Sequence, residues 1–166
     1  MLFGDGAGAV ILEGSDEPGI IYNTFGADGR YRELLYASSG VATRHRDSFE
    51  MAALRMKGNE VFKVAVRMFG DCAERILAKN GFTASDLALF VPHQANLRII
   101  EAAVKRLKLP MERVIVNVDR YGNTGAASVY VALEEAWAGG RLRTGDLVLM
   151  AAFGGGFTWG AALMRW

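Results

Sequence analysis

Cysteine and proline are scarce in this chain of 166 residues, and an excess of charge of either sign is almost absent. The single cysteine, Cys72, rules out an internal disulfide and a multi-cysteine metal site, so we expect no bound metal and a reducing compartment, the cytoplasm. Three prolines are too few for a proline-rich disordered chain. Nineteen basic and 18 acidic residues give a net charge of +1, which argues against nucleic acid or an anionic membrane surface as a partner.

Long hydrophobic runs are also missing, except near the end of the chain. Residues 147–164 carry no charge, and their length approaches that of a membrane span. Three glycines at 154–156 interrupt this run in its middle. The pattern therefore predicts two buried strands, 147–153 and 157–164, joined by a glycine turn. We expect no membrane partner.

Apolar residues at helical spacing alternate with short apolar runs along the rest of the chain, and residues 28–47 form a polar stretch that predicts an excursion over the surface. This alternation is typical of a single α/β domain, residues 1–166, with a mixed sheet and helices packed on it. The predicted helices are 59–79, 96–107 and 126–137, and the further strands are 87–91, 114–117 and a hairpin of 7–12 with 19–24.

The opening segment Gly4-Asp5-Gly6-Ala7-Gly8-Ala9 formally matches a dinucleotide-binding fingerprint, with Asp28 near the distance expected for a ribose contact. That fingerprint requires a strand before it and a helix after it, and neither is predicted here. We therefore interpret the segment as a β-turn or bulge.

Cys72 is the first candidate nucleophile because it is the only thiol. It shares the apolar stripe of the predicted helix 59–79 with Phe62, Phe69 and Ile76, and no activating base is in view. A thiol in such a place behaves as a small hydrophobic group. We expect Cys72 to belong to the core, and helical spacing alone predicts the same for Phe62.

His93 and Asn123 each follow a predicted strand and precede a predicted helix. Ligands of α/β sheets bind outside the carboxyl ends of strands, and a histidine beside a helix N-terminus is kept neutral. Both residues also have a structural explanation, since a lone histidine can be a satisfied core residue and asparagine between glycines tolerates a left-handed backbone. If the two strands are neighbours, both side chains reach one pocket as uncharged donors.

Three runs of sequence resemble β-ketoacyl-acyl carrier protein synthase III, the initiating condensing enzyme of type II fatty acid synthesis. They are VPHQANLRII at 91–100, GNTGAAS at 122–128 and AFGGGFTWG at 152–160, with LFGDGAGA at 2–9 and GNEVFK at 58–63 in support. The match covers the whole chain in order. It implies the C-terminal half of a thiolase-like fold, with an N-terminal half absent from this chain.

The resemblance implies a reaction that joins an acyl-CoA primer, commonly acetyl-CoA, to malonyl-acyl carrier protein with release of CO2. It implies that His93 and Asn123 polarise the malonyl thioester carbonyl and that the backbone N–H near Gly155 belongs to a second oxyanion hole. The nucleophilic cysteine is implied to lie in the N-terminal half. CoA and phosphopantetheine thioesters are then substrates, no resident cofactor is expected, and the full enzyme is expected to be a homodimer.

Further positions are implied by the same resemblance. One set would line a pantetheine tunnel: Gly58, Phe62, Ala95 and Asn96. A second set would dock the acidic carrier protein: Gln94, Leu97, Arg98, Lys63, Lys105 and Arg106. Of these, Arg98, Lys105 and Arg106 form a basic helix face that Glu101 partly offsets, and Lys63 is a further basic candidate. Gly125 stands where the family usually has serine, which predicts a looser helix start.

Two other functions remain open from the sequence. The chain could be a non-catalytic fragment or an assembly module that binds the carrier protein or its own kind. It could also belong to another thiolase-superfamily enzyme that uses the same histidine and asparagine, such as a polyketide-type synthase.

Overall fold

The computed structural model describes residues 3–38 and 53–166. The strands are β1 (Ile20–Ala27), β2 (Leu35–Ala37), β3 (Leu54–Met56), β4 (Leu89–Pro92), β5 (Leu147–Gly154) and β6 (Thr158–Arg165). The helices are α1 (Gly58–Lys79), α2 (Leu97–Leu107), α3 (Val118–Tyr121) and α4 (Ala127–Ala138).

Four strands form one sheet in the order β1-β6-β5-β4. β4 and β5 are parallel, whereas β6 is antiparallel to both β5 and β1. The uncharged run 147–164 is thus a hairpin with its turn at the three glycines, as predicted. β2 and β3 pair with each other in a separate antiparallel ribbon. The mixed sheet confirms the predicted α/β fold.

Helices cover both faces of the sheet, and alternate residues of its strands pack against them. Phe90 and Leu149 face α1 and α2 in the larger core, while Val91 and Val148 face α4 in a second one. The carboxyl ends of β4 and β5 therefore emerge between two helical layers, where the loops leading to α2 and α4 meet.

The three predicted long helices are confirmed, with boundaries shifted by no more than one residue at each end. Asn96 caps α2 because its Oδ1 accepts a hydrogen bond from the Arg98 N–H at 2.9 Å. Gly81, just beyond α1, has a φ of 75°, which suits the predicted end of that helix. Cys72 is buried in the core on α1, as predicted.

Residues 7–12 do not form the predicted strand, and the predicted hairpin with 19–24 is absent from the part of the chain that the structure describes. β1 pairs with β6 instead, and Ile11 is 95% exposed. An isolated two-stranded ribbon is marginal in water, whereas β6 offers β1 a sheet to extend. The apolar pattern indicated an extended backbone but could not identify the partner strand.

The predicted strand 114–117 is also wrong, since Val114 forms only an isolated parallel bridge with Phe90. After that bridge, the side chain of Gln94 takes the place of a neighbouring strand as the hydrogen-bonding partner of the backbone. Gln94 Nε2 donates to the Ile115 carbonyl at 3.0 Å, and Gln94 Oε1 accepts from backbone N–H groups that follow. The backbone is therefore satisfied without a strand partner.

Two other predictions concern the surface and the membrane. Residues 28–47 begin with a 3-10 turn at Gly29–Leu34, which leads into β2, and the remainder from 39 onward lies outside the described residues. Among the residues that the structure describes, none of the helices combines the length and the apolar character that a membrane crossing requires.

Candidate active site

An open cavity of about 1150 Å³ lies at the carboxyl ends of β4 and β5. Its lining includes His93, which directly follows β4, and Asn123, which lies in the turn before α4. Ligands of α/β sheets bind at this edge. The structure thus brings the two predicted side chains to one cavity, although residues 114–117 do not form the strand on which that expectation was based.

His93 is 9% exposed, and burial lowers the pKa of its imidazole from the usual 6.5 to about 4. The ring is therefore neutral at physiological pH and can both donate and accept a hydrogen bond. It meets the ring of Phe153 edge to face, with centroids 5.7 Å apart. The sequence predicted a neutral ring from the nearby helix N-terminus, and burial provides the cause.

The Asn123 side chain is oriented by its own turn. Its Oδ1 accepts a hydrogen bond from the Gly125 N–H at 2.9 Å, which leaves the amide NH2 as the group available to donate. Gly122 and Gly125 adopt positive φ angles of 67° and 60°, whereas Asn123 does not. The explanation of Asn123 by a left-handed backbone is therefore wrong, and glycine suits position 125 because of its φ.

The glycine-rich opening segment supports this turn from outside. The Gly4 N–H donates to the Asn123 carbonyl at 3.0 Å, and a Cβ on Gly4 would overlap the Tyr121 carbonyl oxygen. The carboxylate of Asp28, the candidate ribose contact, forms an ion pair with Arg30 at 2.6 Å. Residues 4–9 form neither the β-turn nor the bulge predicted from the sequence, and the segment is instead a close backbone packing contact.

Gly155 lies in the turn between β5 and β6 and lines the same cavity. No acceptor for its N–H occurs within residues 3–38 and 53–166. The turn is fixed by two reciprocal backbone hydrogen bonds, in which Asp28 N–H donates to Phe157 O at 2.8 Å and Phe157 N–H donates to Asp28 O at 3.0 Å. A backbone donor is thus held at the cavity.

The docking role predicted for Gln94 is corrected by its burial, because its side chain is 0% exposed. Its Nε2 donates to the carbonyls of Pro92 and Ile115, and its Oε1 accepts from the N–H groups of Asn117 and Val118, at 2.8 to 3.2 Å. All four hydrogen-bonding positions of the amide are used inside the chain. Gln94 is a structural link between the turn after β4 and the loop before α3.

The residues assigned to the pantetheine tunnel line the cavity: Gly58, Phe62, Ala95 and Asn96. Phe62 is half-buried and packs partly against the larger core, so its ring serves both the core and the cavity. The Arg98 guanidinium lies over that ring, 5.5 Å from its centroid. This cation–π contact places a positive charge beside the cavity.

The predicted docking residues fall into two groups. Leu97, Arg98, Lys63 and Lys105 are exposed, and Arg98 and Lys105 share one face of α2 because they are seven residues apart. Arg106 is different, since its guanidinium binds Asp71 at 2.5 Å and Glu74 at 2.9 Å on α1. These hydrogen bonds, to Glu74 first, raise the pKa of Arg106. Its charge is compensated within the chain.

Cys72 does not reach the cavity. It is buried on α1, and burial raises the pKa of its thiol. A protonated thiol without access is a poor nucleophile. No other thiol exists in this sequence.

One neighbour of His93 was not identified from the sequence. Ser128, in α4, lies with its Oγ 2.5 Å from His93 Nδ1. The residue falls within one of the runs that carry the family resemblance, but a separation of 35 residues gives no local signal that the two side chains meet.

Solved structures share this architecture. The chain superposes on the β-ketoacyl-[acyl carrier protein] synthase III of Thermus thermophilus with a TM-score of 0.85 and 47% identity, covering 99% of this chain and 52% of that one. It superposes on the priming β-ketosynthase of the R1128 polyketide pathway with a TM-score of 0.84 and 39% identity, covering 91% and 46%. The fold and its cavity define a thiolase-like α/β protein.

Residues 77–166 match the family described as 3-oxoacyl-[acyl-carrier-protein (ACP)] synthase III C terminal, and the chain belongs to this family. A curated relative, the β-ketoacyl-[acyl-carrier-protein] synthase III of Xanthomonas euvesicatoria pv. vesicatoria, is 53% identical over 167 aligned positions. That alignment covers 100% of this chain and 51% of the relative. The chain thus spans about half the length of the curated relatives it matches.

Proposed function

We propose that this chain supplies the decarboxylating side of a condensing site that joins an acyl-CoA, with acetyl-CoA as the expected primer, to malonyl-acyl carrier protein. The observation that carries the proposal is the placement of a buried neutral His93 and an oriented Asn123 amide in the lining of one cavity. Tests use a synthase of the relatives' full length that carries this chain, termed the full-length enzyme below.

In the proposed decarboxylation, the bond between the malonyl Cα and its carboxylate breaks and CO2 leaves. The electron pair forms a thioester enolate, whose negative charge collects on the thioester oxygen. Neutral N–H donors from His93 and Asn123 stabilise that oxygen, and neither donor first forms a salt bridge with the substrate carboxylate. The enolate carbon then attacks an acyl-cysteine thioester, and the cysteine thiolate leaves.

The acyl-cysteine belongs to residues outside this chain in this proposal, because Cys72 is buried away from the cavity. Gly155 contributes its backbone N–H to the oxyanion hole of that second thioester. The pantetheine arm lies along the tunnel residues, and CoA and phosphopantetheine thioesters are substrates, with no resident cofactor. The chain by itself is then inactive.

The decisive experiment separates the two half-reactions in the full-length enzyme. His93→Ala and Asn123→Ala should each lower malonyl decarboxylation by about 100- to 1000-fold, the usual effect of removing one oxyanion donor, while enzyme acylation by acetyl-CoA stays near the parental rate. Cys72→Ala is the matched control and should retain both half-reactions. Decarboxylation at the parental rate in either donor variant would show that the assigned roles are wrong.

We also propose that the exposed residues Lys63, Leu97, Arg98 and Lys105 dock the carrier protein beside the cavity. In the full-length enzyme, Arg98→Glu and Lys105→Glu should reduce the use of malonyl-carrier protein and its salt dependence, because salt screens attraction between exposed charges. Use of malonyl-CoA should change little. Arg143→Glu, an exposed change near the opposite end of β5, is the control.

An equal loss with malonyl-carrier protein and malonyl-CoA would assign Arg98 to the pocket, consistent with its contact on Phe62. Lys105 does not line the cavity, so Lys105→Glu keeps the docking proposal testable in that case. If Lys105→Glu matches the Arg143→Glu control, the docking surface is wrong.

A polyketide-type priming synthase is the second candidate, favoured by the similarity to the R1128 priming ketosynthase. Initial rates of the full-length enzyme with acetyl-CoA and with longer or branched acyl-CoA primers separate the two. A homodimer in the cytoplasm is part of the proposal in either case, and light scattering of the full-length enzyme tests the dimer.

A further inference from the structure

Ser128 forms two hydrogen bonds that have no role in the proposed decarboxylation. The residue lies in the first turn of α4 and is 1% exposed. Its Oγ lies 2.5 Å from His93 Nδ1 and 3.2 Å from the backbone nitrogen of Gln94. The hydroxyl thus contacts both the imidazole and the backbone of the next residue.

The direction of these bonds follows from the donors available. The Gln94 N–H can only donate, so the Ser128 oxygen accepts this bond. The buried hydroxyl proton then needs an acceptor. Within the described residues, Ser128 Oγ has one hydrogen-bonding partner besides the Gln94 N–H, and that partner is His93 Nδ1. An Nδ1 that accepts a hydrogen bond carries no proton, and a neutral ring must carry its proton on Nε2.

We infer that Ser128 is a positioning residue that holds His93 as its Nε2–H tautomer, leaving that N–H for the substrate oxygen. The inference rests on the proposed function, because this tautomer matters for catalysis only if His93 donates to the malonyl thioester. In the opposite tautomer, Nε2 would face substrate as an acceptor and could not stabilise an enolate oxygen. Burial, which keeps the imidazole neutral, makes the choice between the two tautomers necessary.

The residues around His93 also fix the orientation of the Ser128 hydroxyl and of the imidazole ring. Gln94 is immobilised by four hydrogen bonds of its buried side chain, so its backbone N–H approaches Ser128 from a fixed direction. Phe153 packs edge to face on the imidazole from another side. With the ring held by Phe153 and the hydroxyl held by the Gln94 N–H, the serine proton is directed at Nδ1.

The first test is spectroscopic and uses the full-length enzyme labelled with 15N-histidine. His93 should show a pyridine-type Nδ1 and a pyrrole-type Nε2, with the resonances assigned by their loss in His93→Gln. In Ser128→Ala, the two nitrogen shifts should move toward each other as both tautomers become populated. A pyrrole-type Nδ1 in the parental enzyme would overturn the inference, whatever the variants do.

The second test is kinetic. Ser128→Ala should lower kcat for malonyl decarboxylation by about 10- to 100-fold, by analogy with the loss when a hydrogen-bond partner that orients a metal-binding histidine is removed, with a KM change below about twofold. Ser128→Thr keeps the hydroxyl and should recover most of kcat. Ala132→Gly, at another buried position of α4, controls for loosened packing and should leave both the tautomer and kcat near parental values.

The two proposals fail in different ways. If the parental full-length enzyme does not decarboxylate malonyl-carrier protein, the proposed function fails, while the 15N shifts still decide the role of Ser128. If decarboxylation is normal and Ser128→Ala changes neither the tautomer nor kcat, the inference fails and the proposed function stands. If Ser128→Ala does not fold, the parental shifts and Ser128→Thr remain decisive.

Discussion

The two turns that bring His93 and Asn123 to one cavity are stabilised in different ways. The turn after β4 is buried and is held by side chains, chiefly the Gln94 amide and the Ser128 hydroxyl. The turn before α4 is more open and is held by backbone contacts, since Asn123 receives one hydrogen bond from Gly4 and another from Gly125. One donor therefore depends on buried polar groups, and the other depends on glycines that allow close approach.

The largest expected effect comes from removing the buried amide that holds the first turn. Gln94→Leu should destabilise the full-length enzyme by about 4 kcal/mol or more, because it leaves three buried backbone groups and one part-buried group without their partner, at roughly 1 to 3 kcal/mol each. Chemical denaturation measures the loss. Asn96→Ala, which removes an exposed cap from the same stretch, should cost only about 1 kcal/mol. Equal losses in the two variants would contradict a turn held by buried side chains.

A smaller effect should appear when pH is changed. The folded pKa of His93, about 4, lies below the usual 6.5, so the unfolded chain binds a proton first as pH falls. Stability from the neutral ring is present above pH 6.5 and is lost progressively between pH 6.5 and 4, reaching about 3 kcal/mol. His93→Gln should remove this part of the pH dependence of unfolding. The turn at 122–125 contains no titratable side chain and should contribute none.

The smallest of the three effects concerns the second turn. Gly4→Ala should cost about 2 kcal/mol, because its Cβ would overlap the Tyr121 carbonyl and the backbone would have to move. Gly14→Ala is the matched control, since no atom lies within 4 Å of a Cβ at that position. In the full-length enzyme, Gly4→Ala should also slow decarboxylation while the His93 15N shifts stay unchanged. A Gly4→Ala enzyme as stable and active as the control would show that Asn123 does not need this support.

These contrasts explain what the sequence could predict. Helices α1, α2 and α4 and the hairpin β5–β6 follow from local periodicity and glycine turns, and each was found. Residues 7–12 and 114–117 were assigned to strands incorrectly, because a strand also requires a partner that lies far away in sequence. The buried Gln94 bridges residues more than 20 apart, which replaces a strand neighbour without any local signal.

In the candidate site too, some features could be predicted from the sequence and others depend on contacts between distant residues. His93 and Asn123 were identified from their positions after predicted strands, the glycine turn was identified from its place inside the uncharged run, and the motifs of all three carry the family resemblance. The amide orientation of Asn123 and the contact between His93 and Ser128 depend on the folded backbone. Gln94 was assigned to docking through the resemblance and Arg106 through its place on the basic helix face, and the structure shows that internal partners occupy both.

Gly70 on α1 lacks a side chain at the place where Arg106 crosses from α2, and a Cβ there would overlap the Arg106 side chain from Cδ to Cζ. The arginine is flexible, so a larger residue at position 70 would displace it from Asp71 and Glu74 without opening the core. Two carboxylates would then lose their counterion, and a mobile cation would join the positive field of Arg98 and Lys105. The absence of a side chain at position 70 therefore leaves room for the ion pairs of Arg106 with Asp71 and Glu74, and we expect residues 70 and 106 to covary among relatives.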